Sequence, residues 1–125
     1  MEKTSASNAS GKLPACPVEL TLSVIGGKWN VLILRDLLPG TKRFGELRRS
    51  LGGVSQKVLT DRLREMEARS LLSRHVYAEV PPRVEYSLTD LGRSLAPVLA
   101  AMQAWGDAHR AELEQSMKNA PASEK

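Results

Sequence analysis

The sequence predicts a mainly α-helical domain with one small β-hairpin, an α+β fold. Apolar residues recur at intervals of three and four through most of the chain, as on the buried side of amphipathic helices. The period changes to alternation at residues 73–77 and 84–88, which is typical of strands. The length of 125 residues corresponds to one domain.

Two helices are predicted at the start of this domain. Pro17 suits the first helical position of the first helix, because its missing N–H would be unpaired there anyway. Gly26 and Gly27 end that helix. The second helix covers about residues 29–38 and is apolar nearly all round, so we expect it to be central and buried.

A third and a fourth helix are predicted close together. The third is short and covers residues 44–51, and the glycines at 52–53 then form a tight turn. The fourth covers about residues 56–69, with Ser55 as its N-cap. Val54, just before the cap, is expected to pack against Leu59 in the same helix. A helix, a short turn and a capped helix make a helix-turn-helix.

The two alternating runs follow this motif. They predict two strands joined by an exposed loop over residues 78–83, where two prolines exclude ladder pairing. A hairpin with a protruding loop after a helix-turn-helix makes a wing. The fold class is therefore a winged helix-turn-helix.

A long last helix is predicted from Thr89, its N-cap, to about Gln115, with a kink at Pro97. Its apolar residues fall at intervals of four and three, which gives a heptad-like seam. We expect part of this seam to form a dimer surface; the alternative is that it folds back on the second helix. The predicted interface residues are Leu22, Leu95, Val98, Met102 and Trp105.

Composition limits the class of protein further. The chain is 42% hydrophobic and 26% charged, which is ordinary for a globular domain. No apolar run approaches the ~20 residues that span a bilayer, and the first residues lack the apolar segment of a secretory signal. One cysteine cannot form an internal disulfide, and the Cys and His spacing offers no metal site. We expect a cytoplasmic protein without metal or cofactor.

Residues 1–14 are expected to be a disordered arm, 15–115 the folded domain and 116–125 a flexible tail.

The positive charge lies in the middle of the chain. Residues 42–74 carry nine basic and four acidic side chains, whereas the whole chain has a net charge of +4. Such a field favours a polyanion as partner, although a solvated basic face is the alternative.

The fourth helix presents a polar face opposite its apolar side. Lysine, arginine, glutamine and threonine are the side chains that read base edges in the major groove, and a helix N-terminus suits a phosphate. Asp61 either accepts from a cytosine amine or pairs with Lys57 or Arg64. Arg62 lies near the apolar side and is expected to form an intramolecular ion pair.

We expect basic residues before this helix, and Arg83 near the wing tip, to contact DNA phosphates or the minor groove. The candidate DNA-binding residues are Ser55, Gln56, Lys57, Thr60, Asp61, Arg64, Arg43, Arg48, Arg49 and Arg83.

Four segments have distinctive sequences: IGGKW at residues 25–29, RFGEL at 43–47, VSQKVLT at 54–60 and EVPPRVEYSLT at 79–89. Together they resemble the HxlR family of bacterial transcription regulators, over about residues 16–110. The resemblance implies a winged helix-turn-helix homodimer, built through its terminal helices, that binds a palindromic operator in double-stranded DNA. Many members end the recognition helix with a glycine where this chain has Ser70, which leaves the end of that helix open.

Cys16 directly precedes Pro17, at the predicted N-cap of the first helix. The partial positive charge of a helix N-terminus favours a thiolate, and an exposed thiolate is what an oxidant or electrophile sensor requires. The resemblance points the same way, because an N-terminal cysteine here is the sensing residue in redox- and quinone-responsive members. The alternative is a small residue that packs in the dimer interface.

Three other functions are weighed against a DNA-binding regulator, with repressor the expected direction. An enzyme is not supported, since the sequence has no nucleophile–base motif and no glycine-rich phosphate loop. A protein-interaction winged helix would use the basic face for another partner. A regulator that responds to a non-covalent small-molecule inducer would keep the DNA-binding role and change only the trigger.

Overall fold

The computed structural model describes residues 12–119 in two units, one up to Arg93 and one from Ser94. Most of the predicted N-terminal arm, residues 1–11, lies outside the described residues, as do residues 120–125 of the predicted tail.

The first two helices agree with the sequence prediction. Helix α1 spans Pro17–Ile25 and helix α2 spans Lys28–Leu37. Between them Gly27 has a φ of +87°, a conformation that favours glycine. Ile33 and Leu34 in α2 are fully buried, so the prediction that this helix is central is confirmed.

The helix-turn-helix is formed by α3, Phe44–Leu51, and α4, Gln56–Ala68. Gly52 and Gly53 both have positive φ in the turn that joins them. The Ser55 hydroxyl accepts a hydrogen bond from the Val58 N–H at 3.1 Å, as an N-cap does.

The end of α4 is a Schellman motif. The Leu71 N–H donates to the Met66 carbonyl and the Ser70 N–H donates to the Glu67 carbonyl, both at 3.0 Å. Ser70 has a φ of +65°, the left-handed conformation that such a motif requires. The helix therefore ends at Ala68, with a serine in the position that usually holds glycine.

The wing is a three-stranded antiparallel sheet in the order β1-β3-β2. Strands β2, Leu72–Tyr77, and β3, Arg83–Leu88, form the predicted hairpin. Strand β1, Lys42–Arg43, pairs with β3 and was not predicted, because two residues are too few to show alternation. Arg83 begins β3 and is not part of the loop, which corrects the predicted loop boundary.

The single kinked helix predicted from Thr89 is wrong. A short helix α5, Asp90–Arg93, is followed by a separate helix α6, Ala96–Asn119. Pro97 lies in the first turn of α6, where its missing N–H removes no helical hydrogen bond, so it starts a helix and does not bend one. Thr89 does cap α5, since its hydroxyl accepts from the Gly92 N–H at 3.1 Å. Helix α6 continues past residue 115, where the flexible tail was expected to begin.

The core of the first unit joins the helices to the sheet. Gly92 is buried, and a Cβ atom there would clash with the Leu71 carbonyl oxygen. This close approach packs α5 against the start of β2. The largest fully buried side chains are those of Ile33, Leu34, Leu37, Leu47, Leu59, Leu63, Met66 and Leu72.

The second unit consists mainly of α6, in which no residue is buried. Within residues 12–119, no helix has the length and apolarity needed to cross a membrane.

Candidate nucleic-acid interface

The polar face of α4 is one continuous surface. Five predicted residues line a single shallow depression on it, and we call this surface the reading face: Gln56, Lys57, Thr60, Asp61 and Arg64. Leu59, Leu63 and Met66 are buried on the other side of the helix. Val58 is 37% exposed. The polar face that the sequence predicts for this helix is thus present in the structure.

One ion pair lies within the reading face. Lys57 Nζ is 3.0 Å from Asp61 Oδ2, and Lys57 is largely exposed. The structure thus gives Asp61 the intramolecular partner that was one of its two interpretations. Arg64 is exposed and has no ion pair with any residue between 12 and 119. Its guanidinium is free to bind another group.

Arg62 forms the predicted intramolecular ion pair, 2.9 Å from Glu65 Oε1. Glu65 also pairs with Arg69 at 3.4 Å, and Arg69 Nη1 donates to the Ser23 carbonyl at 2.5 Å. Both ion pairs lie within α4 and its C-cap, whereas the Arg69 hydrogen bond ties the end of α4 to α1. Arg62 and Arg69 are therefore engaged within the protein, and the reading face consists of other residues.

The basic residues that precede α4 lie at both ends of α3. Arg43 is the exposed N-cap of α3, and its N–H donates to Glu46 Oε1 at 2.8 Å. The Arg48 Nε donates to the Val54 carbonyl at 3.3 Å, which braces the turn between the two helices. Arg49 is exposed and, like Arg64, has no ion pair among the described side chains. Arg43 and Arg49 are thus available for phosphate contacts.

Arg83 is engaged within the wing. Its guanidinium is 3.1 Å from Glu79, 3.5 Å from Glu85 and 3.8 Å from the centroid of the Tyr77 ring. Val80, in the loop, is almost fully exposed. Arg83 would have to share or release these partners to contact DNA, so its predicted role stays a prediction.

The sequence reasoning missed one concave surface beside the reading face. It lies between α4 and the sheet and is lined by Thr60, Leu63, Arg64, Glu67, Arg74 and Tyr86. Arg74 on β2 pairs in register with Tyr86 on β3. The basic charge of Arg74 was noted in the sequence, but only strand pairing brings it to α4.

Cys16 is the exposed N-cap residue of α1. Its carbonyl accepts from the Leu20 N–H at 2.8 Å, and its side chain makes no capping hydrogen bond. The thiol is therefore accessible at the start of a helix, as predicted.

The predicted interface residues leave apolar surface uncovered in the single chain. Leu22 is 61% exposed on α1, and on α6 Met102 and Trp105 are exposed while Val98 is half-buried. Leu95, just before α6, is also half-buried.

The comparison with protein families decides the assignment. Residues 24–114 match the HxlR-like helix-turn-helix family, which is most of the chain. The chain belongs to the HxlR family. This HxlR protein is a winged helix-turn-helix transcriptional regulator and not an enzyme, and proteins with this motif bind DNA.

Similar proteins support this assignment. The uncharacterized HTH-type transcriptional regulator YybR of Bacillus subtilis is 48% identical over 104 residues, which cover 83% of each chain. The redox regulator HypR in its reduced form has a TM-score of 0.77 and 48% identity, over 80% of this chain and 99% of HypR. Diamide-treated YodB from B. subtilis has a TM-score of 0.63 and 40% identity, over 74% of this chain and 93% of YodB.

Proposed function

We propose that this HxlR protein is a homodimeric repressor that reads a palindromic operator with α4. The reading face carries the proposal, because it joins the donors Gln56, Lys57 and Arg64 on one exposed side of a well-anchored helix. Arg43 and Arg49 supply phosphate contacts that position the helix without reading sequence. A protein that binds DNA is expected to act in the cytoplasm.

A dimer is required for this function. Two recognition helices reach successive major grooves only when they lie one helical turn apart, roughly 34–36 Å. The exposed apolar residues of α1 and α6, including Leu22 and Trp105, support a dimer interface, because burying them against a second copy removes apolar area from water. Repression follows most directly, since occupancy of the operator alone is sufficient for it.

Cys16 is proposed as the sensor of an oxidant or electrophile. Its exposed thiol at the start of α1 and the redox regulators among the similar proteins support this role. With no other cysteine in the chain, three products are available: a Cys16–Cys16 disulfide between subunits, a mixed disulfide with a small thiol, or an alkylated adduct. The first releases two electrons and two protons to the oxidant. Arg69 links α1 to α4, so a change at α1 can reach the recognition helix.

The DNA-binding proposal is tested by selection and titration. A random duplex library incubated with the wild-type protein should yield a palindromic sequence, and fluorescence anisotropy then gives its affinity. The double variant Lys57→Gln/Arg64→Gln should bind this duplex about 100-fold more weakly, since two contacts at ~1–3 kcal/mol each are lost.

The double variant Arg110→Gln/Lys118→Gln is the matched control. It removes the same charge from exposed positions of α6 and should bind nearly as the wild type does. Failure to enrich any sequence contradicts sequence-specific binding, and equal loss in both double variants contradicts the assigned reading face. DNA affinity unaffected by Lys57→Gln/Arg64→Gln would contradict the assigned reading face, whereas absence of wild-type binding to any duplex would favour the protein-interaction alternative.

A further inference from the structure

A pocket beside the reading face has no role in the function proposed above. This side pocket lies between α4 and the strands β2 and β3, with a volume of about 280 Å³. It is continuous with the reading face, since Thr60 and Arg64 line both. Its residues are Thr60, Leu63, Arg64, Glu67, Arg74 and Tyr86.

Four hydrogen-bond donors in the side pocket have no partner. The side chains of Thr60, Arg64, Arg74 and Tyr86 form no hydrogen bond or ion pair within the described part of the chain. In contrast, the neighbouring Arg62 and Arg69 on α4 are both paired.

Tyr86 lines the pocket from β3. Although the residue is only 8% exposed, its hydroxyl is not one of the described polar atoms that are closed off from solvent, so it remains open to a group in the pocket. Its register partner is Arg74, so the sheet brings a hydroxyl and a guanidinium to the same wall of the pocket. Unpaired donors on both walls indicate a site for an anionic group that supplies the missing acceptors.

We propose that the side pocket receives one phosphate of the DNA backbone, held by the guanidinium of Arg74 on β2. Guanidinium groups bind phosphate oxygens in bidentate geometry, and the Thr60 and Tyr86 hydroxyls add neutral donors. DNA is favoured over a free anion because the pocket opens beside the reading face and shares two residues with it. This inference rests on the proposed DNA-binding function.

Glu67 lines the same pocket and has no ion pair among residues 12–119. Its carboxylate repels a phosphate at this position, so it lowers the affinity that Arg74 provides. Substitution of Arg74 should therefore weaken DNA binding, and substitution of Glu67 should strengthen it. A purely structural role of either residue would not produce these opposite effects.

The first test measures anisotropy with the selected operator duplex and with a scrambled duplex of equal composition. Arg74→Gln should weaken both about tenfold, because a phosphate contact carries no sequence information. The slope of log K against log salt should also fall in magnitude by about 0.9 for each bound protomer. Glu67→Gln should tighten binding to both duplexes several-fold. Thermal melts of both variants establish that they fold.

The second test replaces single operator phosphates by uncharged methylphosphonates. One position in each half-site should weaken the wild type and have no effect on Arg74→Gln. If every position affects both proteins equally, or if Arg74→Gln binds like the wild type, the proposal is wrong.

A third experiment distinguishes a DNA phosphate from a free anion as the ligand of the side pocket. Isothermal titration of inorganic phosphate into the DNA-free wild type should show no saturable binding, because a free phosphate lacks the duplex contacts that place it at the pocket. Saturable phosphate binding that Arg74→Gln abolishes, with the DNA affinity of that variant unchanged, would assign the pocket to a free anion and overturn the proposal. Absence of wild-type binding to any duplex would contradict the DNA-binding function itself.

Discussion

At the scale of single residues, Ser70 has the most unfavourable backbone conformation for its side chain. Its φ of +65° costs an L-residue roughly 1–2 kcal/mol relative to right-handed backbone. Glycine is the residue that most often occupies this position of a Schellman motif. The Schellman hydrogen bonds of Ser70 and Leu71 compensate, since they satisfy the last carbonyls of α4.

Ser70→Gly should therefore stabilise the protein by about 1 kcal/mol, which raises Tm by roughly 4 °C. Ser70→Ala is the matched control, because it removes the hydroxyl and keeps Cβ, and it should not raise Tm. Thermal unfolding followed by circular dichroism at one protein concentration measures both. An equal gain for Ala would attribute the effect to the hydroxyl and contradict the backbone explanation.

Cys16 also acts as a single residue in the proposed function. Diamide or a quinone should lower the operator affinity of the wild type by at least tenfold, and the effect of diamide should reverse with dithiothreitol. Cys16→Ser should bind DNA like the reduced wild type and keep its affinity after either treatment. Release of DNA from Cys16→Ser by these reagents would exclude Cys16 as the sensor.

At the scale of elements, α4 depends on its first turn. The Ser55 hydroxyl satisfies the Val58 N–H, and loss of an N-cap costs about 1 kcal/mol. Ser55→Ala should lower the free energy of unfolding by that amount, as measured by urea denaturation. Ser55→Asp keeps the cap and should retain stability.

The same pair of variants separates stability from DNA contact. Ser55 is at the start of the recognition helix, where a phosphate is expected, so the carboxylate of Ser55→Asp should repel DNA. Its operator affinity should fall below that of Ser55→Ala despite its greater stability. Equal affinities would show that position 55 acts only as a cap.

The wing was less predictable than the helices. Alternation revealed β2 and β3, but β1 has only two residues and is defined by its pairing with β3. Arg83 could be recognised as a basic residue near the loop, whereas its pairing with Glu79 and Glu85 depends on the shape of the folded hairpin. Alternation of apolar and polar residues predicts that a strand exists. The surroundings of its side chains depend on which residues lie opposite them across the sheet.

At the scale of the whole molecule, the apolar seam of α6 is the main feature that the single chain leaves uncovered. Trp105 is 58% exposed and stacks on His109, with ring centroids 4.5 Å apart. Covering this surface with a second copy would lower the free energy of the protein, because apolar area is removed from water.

Trp105→Glu should convert the protein from a dimer of twice 13.7 kDa to a monomer, because the interface would have to bury a charge. Sedimentation equilibrium at micromolar concentration measures the mass, and the operator affinity should fall with it. Ala111→Glu, on the opposite side of the same helix, is the control and should remain dimeric. A wild-type monomer, or a dimeric Trp105→Glu, would contradict the assigned interface.

The sequence by itself determined helices α1 to α4, the caps at Ser55 and Thr89 and the composition of the reading face, because these depend on residues within a few positions of one another. The tertiary structure decided three further points: that Pro97 starts a new helix, that Arg83 is paired within the wing, and that Arg74 and Tyr86 meet α4. The first point depends on where the preceding helix ends. The other two depend on contacts between segments that are distant along the chain. Periodicity and composition do not encode such contacts, since they arise only when the strands pair and pack onto the helices.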